Sequence, residues 1–431
     1  MSDPRHPPDR TSPDRTSPDP TSPDPTSPGR TSPGRTSPDR EGPVEVRRGH
    51  DPNREAVPRA PGVAPERGRG ATFNPANRFR RETREAVDDG WSPVSAGEGT
   101  ADELPVRRKT TVTIHPSRSI LTRNDSPDVG FNQSVNPYQG CEHGCIYCFA
   151  RPSHAYHDLS PGIDFETRLF AKADAPELLR AALAKPGYRC ETIALGINTD
   201  GYQPIERQWK ITRRCLEVLH ACDHPVTIVT KSALIERDLD LLAPMAAKGL
   251  AKVFVTITTL DREIARRLEP RAAAPQRRLE TLRALSAAGV PAGVMVAPVI
   301  PQLTDKDLEA ILEAASAHGA REAGYVILRL PHEVAPLFRD WLDAHYPLRA
   351  AHVMSIVRDM RGGRDYDASF GTRMRGIGAY SDLIEKRFAI ACRRHGYQDR
   401  DRNLVTSLFH PPAMPGKGAP PAEPRQRDLF G

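Results

Sequence analysis

No apolar run in this 431-residue chain approaches the ~20 residues that a membrane-spanning helix needs. The chain opens MSDPRHPPDR and has no apolar h-region, so no secretory signal is expected. Cysteine is scarce: there are seven, an odd number. Without an export signal this argues against a disulfide framework and for a reducing, cytoplasmic setting. A strong charge of one sign is also lacking. The net charge is +6 with both signs mixed, which permits an anionic partner without requiring one. Apart from proline, apolar side chains are missing altogether from residues 11–40, which read TSPDR TSPDP TSPDP TSPGR TSPGR TSPDR. A pentapeptide with no face to bury cannot stack into a solenoid. Its Pro and Ser density instead predicts a disordered, extended segment, and the Ser-Pro in each copy leaves a phosphorylated or partner-binding tail as the alternative. The tail is expected to run over residues 1–104. Phe73, Phe79 and Trp91, within RGRGATFNPANRFRRETREAVDDGW, point to local docking on the core.

From residue 105 the pattern changes to short β-type runs separated by amphipathic helical runs. The strand candidates are 132–138, 192–198, 226–230, 253–257, 292–296 and 325–329. The helical candidates are 175–183, 207–221, 234–248, 276–288, 305–317 and 334–345. Apolar strands alternating with helices imply a parallel sheet covered by helices, so the fold class is α/β. Six βα units suit an open or partial (β/α)6 barrel over residues 105–345, with ligands at the C-terminal strand ends. Residues 346–410 read as a helical extension and 411–431 as a flexible tail.

Three of the cysteines, Cys141, Cys145 and Cys148, sit within GCEHGCIYCFAR just after the first strand candidate. Thiolates in one loop converge on a soft metal. A structural zinc site needs four ligands, typically in two pairs, and no second pair follows. Zinc completed by His143, His154 or His157 is one reading; a [4Fe–4S] cluster on three thiolates, leaving one iron open, is the other. The remaining Cys190, Cys215, Cys222 and Cys392 are scattered and read as core or surface thiols.

The spacing C-x3-C-x2-C, with Tyr147 before the last cysteine, resembles the radical S-adenosylmethionine (radical SAM) enzymes. Within them, NPYQGCEHGCIYCFARPSHAY, TDGYQPIER, TITTLDREIARRLEPRAAAPQRRLETL, GVMVAPVIPQLTD and YVILRLP are similar to the group related to spore photoproduct lyase and the DNA repair photolyases. The resemblance covers roughly residues 105–410. It implies a partial (β/α)6 barrel and a [4Fe–4S] cluster whose open iron chelates S-adenosylmethionine. Reductive cleavage would then yield a 5′-deoxyadenosyl radical that abstracts hydrogen from a substrate. It also implies an electron donor of the flavodoxin or ferredoxin type, and nucleic acid as the leading substrate class. Photoproduct lyases carry a cysteine just before the second-strand acidic segment. Here GINTDGYQP has Ile197 and Asn198 instead, so that particular reaction is not implied. The same chemistry on protein or a small molecule, and a non-catalytic metal-bearing nucleic-acid module, are the rival readings.

Other cofactor candidates lie at strand ends. Tyr147 would border the adenine or shield the cluster. Thr199, Asp200 and Glu206 could meet the methionine ammonium, with a helix N-cap at Thr199 or Asp200 as the alternative. Lys231 could meet a carboxylate or phosphate, or be a solvated edge. Thr256 and Thr258 could reach ribose hydroxyls, with Glu269 following. Arg271 and Arg278 could serve phosphates or solvate a helix. Arg329 is aimed at the same mouth. Finally, Gln426, Asp428, Leu429 and Phe430 in the terminal RQRDLFG resemble the peptide by which bacterial repair and replication proteins bind the sliding clamp.

Overall fold

The computed structural model describes residues 68–79, 109–398 and 404–413, all within the unit Pro52–Gly431. Ten strands form: β1 Thr111–Ile114, β2 Leu121–Arg123, β3 Gln133–Val135, β4 Tyr138–Gln139, β5 Arg168–Ala171, β6 Ile193–Leu195, β7 Val226–Thr230, β8 Ala251–Thr256, β9 Ala292–Val299 and β10 Glu322–Ile327. Seven make one sheet in the order β10-β9-β8-β7-β6-β3-β2. Its six parallel strands, β3 and β6 to β10, are the six expected from the sequence, and β2 adds an antiparallel edge on β3. These strands are runs of Val, Ile, Leu and Ala buried on both faces, as parallel strands under helices must be. Their core is continuous with the apolar faces of the helices Ala175–Leu183, Ile211–Ala221, Pro275–Ala287 and Leu308–Ala317.

Several features differ from the sequence expectation. A second sheet, β1-β5-β4, flanks the cysteine loop; strands of two to four residues are too short to show a period. The helix expected at 207–221 breaks at Lys210, whose φ is 50°. The helix restarts at Ile211 because the Glu206 carboxylate accepts the amides of Thr212 (3.1 Å) and Arg213 (3.2 Å). A helix at Arg262–Leu268 was not expected; Asp261 caps it by accepting from Glu263 and Ile264. The extension contains helices Pro347–Asp359 and Ala379–Arg394, but 404–413 is not helical. That segment docks through Val405 on Gly249 and through His410 on Cys222.

The disordered tail expected over 1–104 does not hold for residues 68–79. They are folded onto the barrel beside the cysteine loop, with Ala71 in its apolar core and Phe73 packed against it. Phe79 stays largely exposed. The physical reason is a set of partners far away in sequence, such as Arg78 on Glu333 (2.8 Å). The TSPxx repeat, Trp91 and the RQRDLFG peptide lie outside the described residues.

Candidate radical and cofactor site

The chain leaves β3 and β4 directly into the loop carrying Cys141, Cys145 and Cys148, at the C-terminal ends of the parallel strands. Neighbouring elements hold this loop by its backbone. Cys141 N donates to Phe165 O (3.0 Å), Ile146 N to Leu268 O (3.1 Å) and Arg271 N to His143 O (3.2 Å). Gln203 bridges it twice, accepting from Glu142 N (2.9 Å) and donating to Gly140 O (3.1 Å). Arg151, fully buried, donates to Cys145 O (2.9 Å), Gly144 O (3.2 Å), Pro161 O (3.1 Å) and Gly162 O (2.9 Å) and pairs with Glu166. Nothing local in the sequence announced Gln203, Arg151 or Glu166. Their partners are backbone groups brought together only by the fold.

Cys141 and Cys145 are buried and Cys148 is half-buried. Burial raises all three thiols, Cys145 to about 12, and each also feels the charge of at least one of the others or of Lys231. No three His, Cys, Asp or Glu side chains among the described residues close on a single ion. The histidines that could have completed a zinc site are engaged elsewhere. His143 Nδ1 lies 3.4 Å from Asp200, His154 Nε2 lies 2.9 Å from Arg168 O, and His157 packs on Phe170. Thiols that share one loop and one field without converging on a point suit a [4Fe–4S] cluster, where each thiolate takes a different iron. Lys231, lowering Cys145 and Cys148, would favour the thiolates such a cluster needs.

Beside the loop, the strand-end candidates divide. Tyr147, Thr258 and Glu269 are brought together: the Tyr147 hydroxyl lies 3.2 Å from Thr258 Oγ1 and donates to Glu269, and Thr258 donates to Glu269 Oε1 (2.7 Å). Burial alone would raise the Glu269 carboxyl, but Arg278 and then Lys231 hold it at about 2. Arg278 does not solvate a helix face; it is buried, paired with Glu269, and donates to Thr256 O (2.9 Å). Lys231 Nζ lies 5.9 Å from the Tyr147 ring centroid. Asp200 caps no helix but ties three segments. It accepts from Thr230 Oγ1 (2.8 Å), Lys231 N (2.8 Å) and Tyr202 N (2.8 Å) and faces His143 of the cysteine loop.

Two candidates are turned away from this cluster of groups. Thr199 donates to Tyr138 O (2.8 Å). Glu206 is buried against Tyr138, Arg237 (2.8 Å) and the restarting helix, so its charge is already compensated. Arg271 reaches Glu142 (2.7 Å) behind the loop. Arg329 stacks on Phe149, 5.1 Å from the ring centroid, and reaches Tyr366 (3.3 Å) and Met374 (3.5 Å).

The pattern of the radical SAM superfamily matches residues 135–315, which span the cysteine loop and the four parallel strands β6 to β9. An uncharacterized protein of Mycobacterium tuberculosis is 37% identical over 277 residues, covering 63% of this chain and 82% of its own. An uncharacterized protein of Methanocaldococcus jannaschii is 26% identical over 176 residues, covering 41% and 63%. Among solved structures, a spore photoproduct lyase complexed with dinucleoside spore photoproduct aligns at 15% identity and a TM-score of 0.49, over 66% of this chain and 80% of that one. With its cysteine loop at the mouth of six parallel strands, the chain belongs to the radical SAM superfamily and is an S-adenosylmethionine-binding enzyme of that class.

Proposed function

We propose that this radical SAM enzyme acts on nucleic acid. When bound, a [4Fe–4S] cluster with S-adenosylmethionine supplies an electron to the sulfonium and thereby a 5′-deoxyadenosyl radical able to take a hydrogen atom from a substrate. Cys141, Cys145 and Cys148 would hold that cluster. Asp200 and Lys231 offer opposite charges at adjacent strand ends, suited to the ammonium and carboxylate of the methionine part. Tyr147, Thr258 and Thr256 would meet the adenine and ribose. Glu269, buried and paired with Arg278, accepts hydrogen bonds from the Tyr147 and Thr258 hydroxyls. The apolar core around the loop, including Ile146 and Leu330, would help to keep water from the reacting carbon.

One observation carries the substrate class. Arginines stack on partly or largely exposed aromatic rings, one of which, Phe149, directly follows Cys148. Arg329 lies over Phe149, Arg373 lies 4.6 Å over Phe370, and Arg78 covers Phe79 (4.6 Å) and Tyr156 (5.5 Å). Phe370 is 61% exposed and Tyr156 74%. Faces of this kind stack bases; the cations of Arg78 and Arg373 are already paired with Glu333 and Asp128, which leaves Arg329 to meet a phosphate. Where the chain leaves β6, β7 and β8, Arg207, Arg271 and Arg277 line a cavity of about 510 Å³ against His143. We place there the approach of an acidic electron donor of the flavodoxin or ferredoxin type.

The test is anaerobic incubation of the reduced, reconstituted enzyme with deuterated single-stranded and double-stranded DNA. Deuterium recovered in 5′-deoxyadenosine supports the reading. Product that stays unlabelled with nucleic acid present contradicts it.

A further inference from the structure

We infer that residues 68–79 form a positioning strap for the cysteine loop, in which Gly70 and Glu166 fix the Gly144 peptide and so the placement of Cys141, Cys145 and Cys148. This rests on those thiols being the cluster ligands.

One buried carboxylate joins strap and loop. Glu166 Oε2 accepts from Gly70 N (2.9 Å) and Oε1 from Ala71 N (2.8 Å). The same carboxylate pairs with Arg151, which donates to the carbonyls of Gly144 and Cys145. The strap therefore shares its anchor with the peptide units that separate two of the ligands. The contact is backbone on backbone. A Cβ built on Gly70 would stand 1.8 Å from Gly144 O, and one on Gly144, where φ is +69°, would stand 2.7 Å from Glu166 Oε2. No side chain fits at either position without moving the loop. Arg69 reaches the other half of the loop. It donates to Glu166 O (3.0 Å) and Thr110 Oγ1 (3.3 Å), and Thr110 donates to Glu142 Oε1 (2.6 Å).

The far end of the strap is anchored independently. Asn77 donates to Ala155 O (2.9 Å), Ser160 donates to Pro75 O (2.7 Å), and Arg78 grips both oxygens of Glu333 (2.9 and 2.8 Å). A strand fixed at one end and pressed against Gly144 at the other restrains the loop rather than merely covering it. Groups that orient a ligand backbone tune a metal site nearly as much as the ligands do.

The test uses the full chain with Gly70→Val, with Arg69→Ala as a milder variant and Ala76→Ser, at an exposed position of the strap, as control. In the metal-free protein, Cys145 and Cys148 should react with iodoacetamide about tenfold faster in Gly70→Val than in wild type, while Cys215 is unchanged. After anaerobic reconstitution, the variant should release iron to a chelator about tenfold faster. The electron paramagnetic resonance of its reduced cluster should also be altered. Arg69→Ala should move the same readouts in the same direction, by less. If Gly70→Val does not fold, Arg69→Ala decides. Unchanged alkylation, iron release and resonance in the folded variants overturn the inference. A wild-type chain that takes up no cluster would defeat the proposed function, whereas the alkylation comparison would still decide whether the strap restrains the loop.

Discussion

Two arginine–glutamate pairs lie buried against the cysteine loop, and they are built differently. Around Arg151–Glu166, the further partners are backbone amides and carbonyls: Gly70 N and Ala71 N on the acid, and the carbonyls of Gly144, Cys145, Pro161 and Gly162 on the base. Around Arg278–Glu269, the acid is completed by two hydroxyls, Tyr147 and Thr258. A backbone amide can only donate from a fixed place, whereas a hydroxyl rotates and can donate or accept. The first pair sets the loop's shape. The second can rearrange when a ligand arrives. Burial of a charge therefore does not mark a site residue by itself; the freedom of its partners does.

The same substitution at the two acids should have unequal effects. Glu166→Gln should have the largest effect, about 4–5 kcal/mol of stability. Its amide must turn an N–H toward either Gly70 N or Ala71 N, and Arg151 stays buried with a weakened partner. Denaturant titration measures it. Glu269→Gln should cost less, roughly 2–3 kcal/mol, because the Tyr147 and Thr258 hydroxyls can flip to accept from the new amide. Equal losses at the two positions would remove the distinction.

Acid sharpens it further. The Glu269 carboxyl is held at about 2, below its ordinary 4.5, by Arg278 and Lys231 against the effect of burial. A depressed acid stabilises the fold fully above its unfolded value. That contribution is lost as pH falls through 4.5 toward 2. The stability gap between wild type and Glu269→Gln should therefore narrow over this window in denaturant titrations. A constant gap would show that the carboxylate is not ionised in the fold.

Arg329→Ala should leave stability and unproductive S-adenosylmethionine cleavage near wild type while reducing deuterium transfer from nucleic acid about tenfold, through loss of the Phe149 platform. A fall in cleavage without substrate would instead put Arg329 in the cofactor pocket. The smallest effect is expected from removing residues 1–65, which carry the repeat but none of the strap. Thermal transition and cleavage should be unchanged. Loss of either would show that the tail is structural.

Much of this architecture was legible in the sequence, for local reasons. The six parallel strands showed as apolar runs because both of their faces are buried. The cysteine motif was legible because its spacing is its signal. Asp200, Lys231 and Thr258 were singled out by their positions at strand ends and Tyr147 by its place in the cysteine motif, and Tyr147 and Thr258 do meet at Glu269. What failed was direction and distance. Thr199 and Glu206 follow the right strand but turn to Tyr138 O and to a helix start. Arg278 read as a phosphate contact or a solvated helix residue because its partner, Glu269, lies on the preceding loop. The aromatics of residues 68–79 signalled docking, but where the strap docks could not be read, since its anchor Glu166 stands 96 positions from Gly70 and has no local pattern.

Iron and sulfide content, measured with 5′-deoxyadenosine formation on wild type, Cys145→Ala and Cys392→Ala, tests the central claim most directly. After anaerobic reconstitution, wild type and Cys392→Ala should hold about four irons and four sulfides per chain and release 5′-deoxyadenosine on reduction. Cys145→Ala should hold no intact cluster and release none. Stoichiometric zinc without product in wild type, or an intact cluster in Cys145→Ala, would contradict the account.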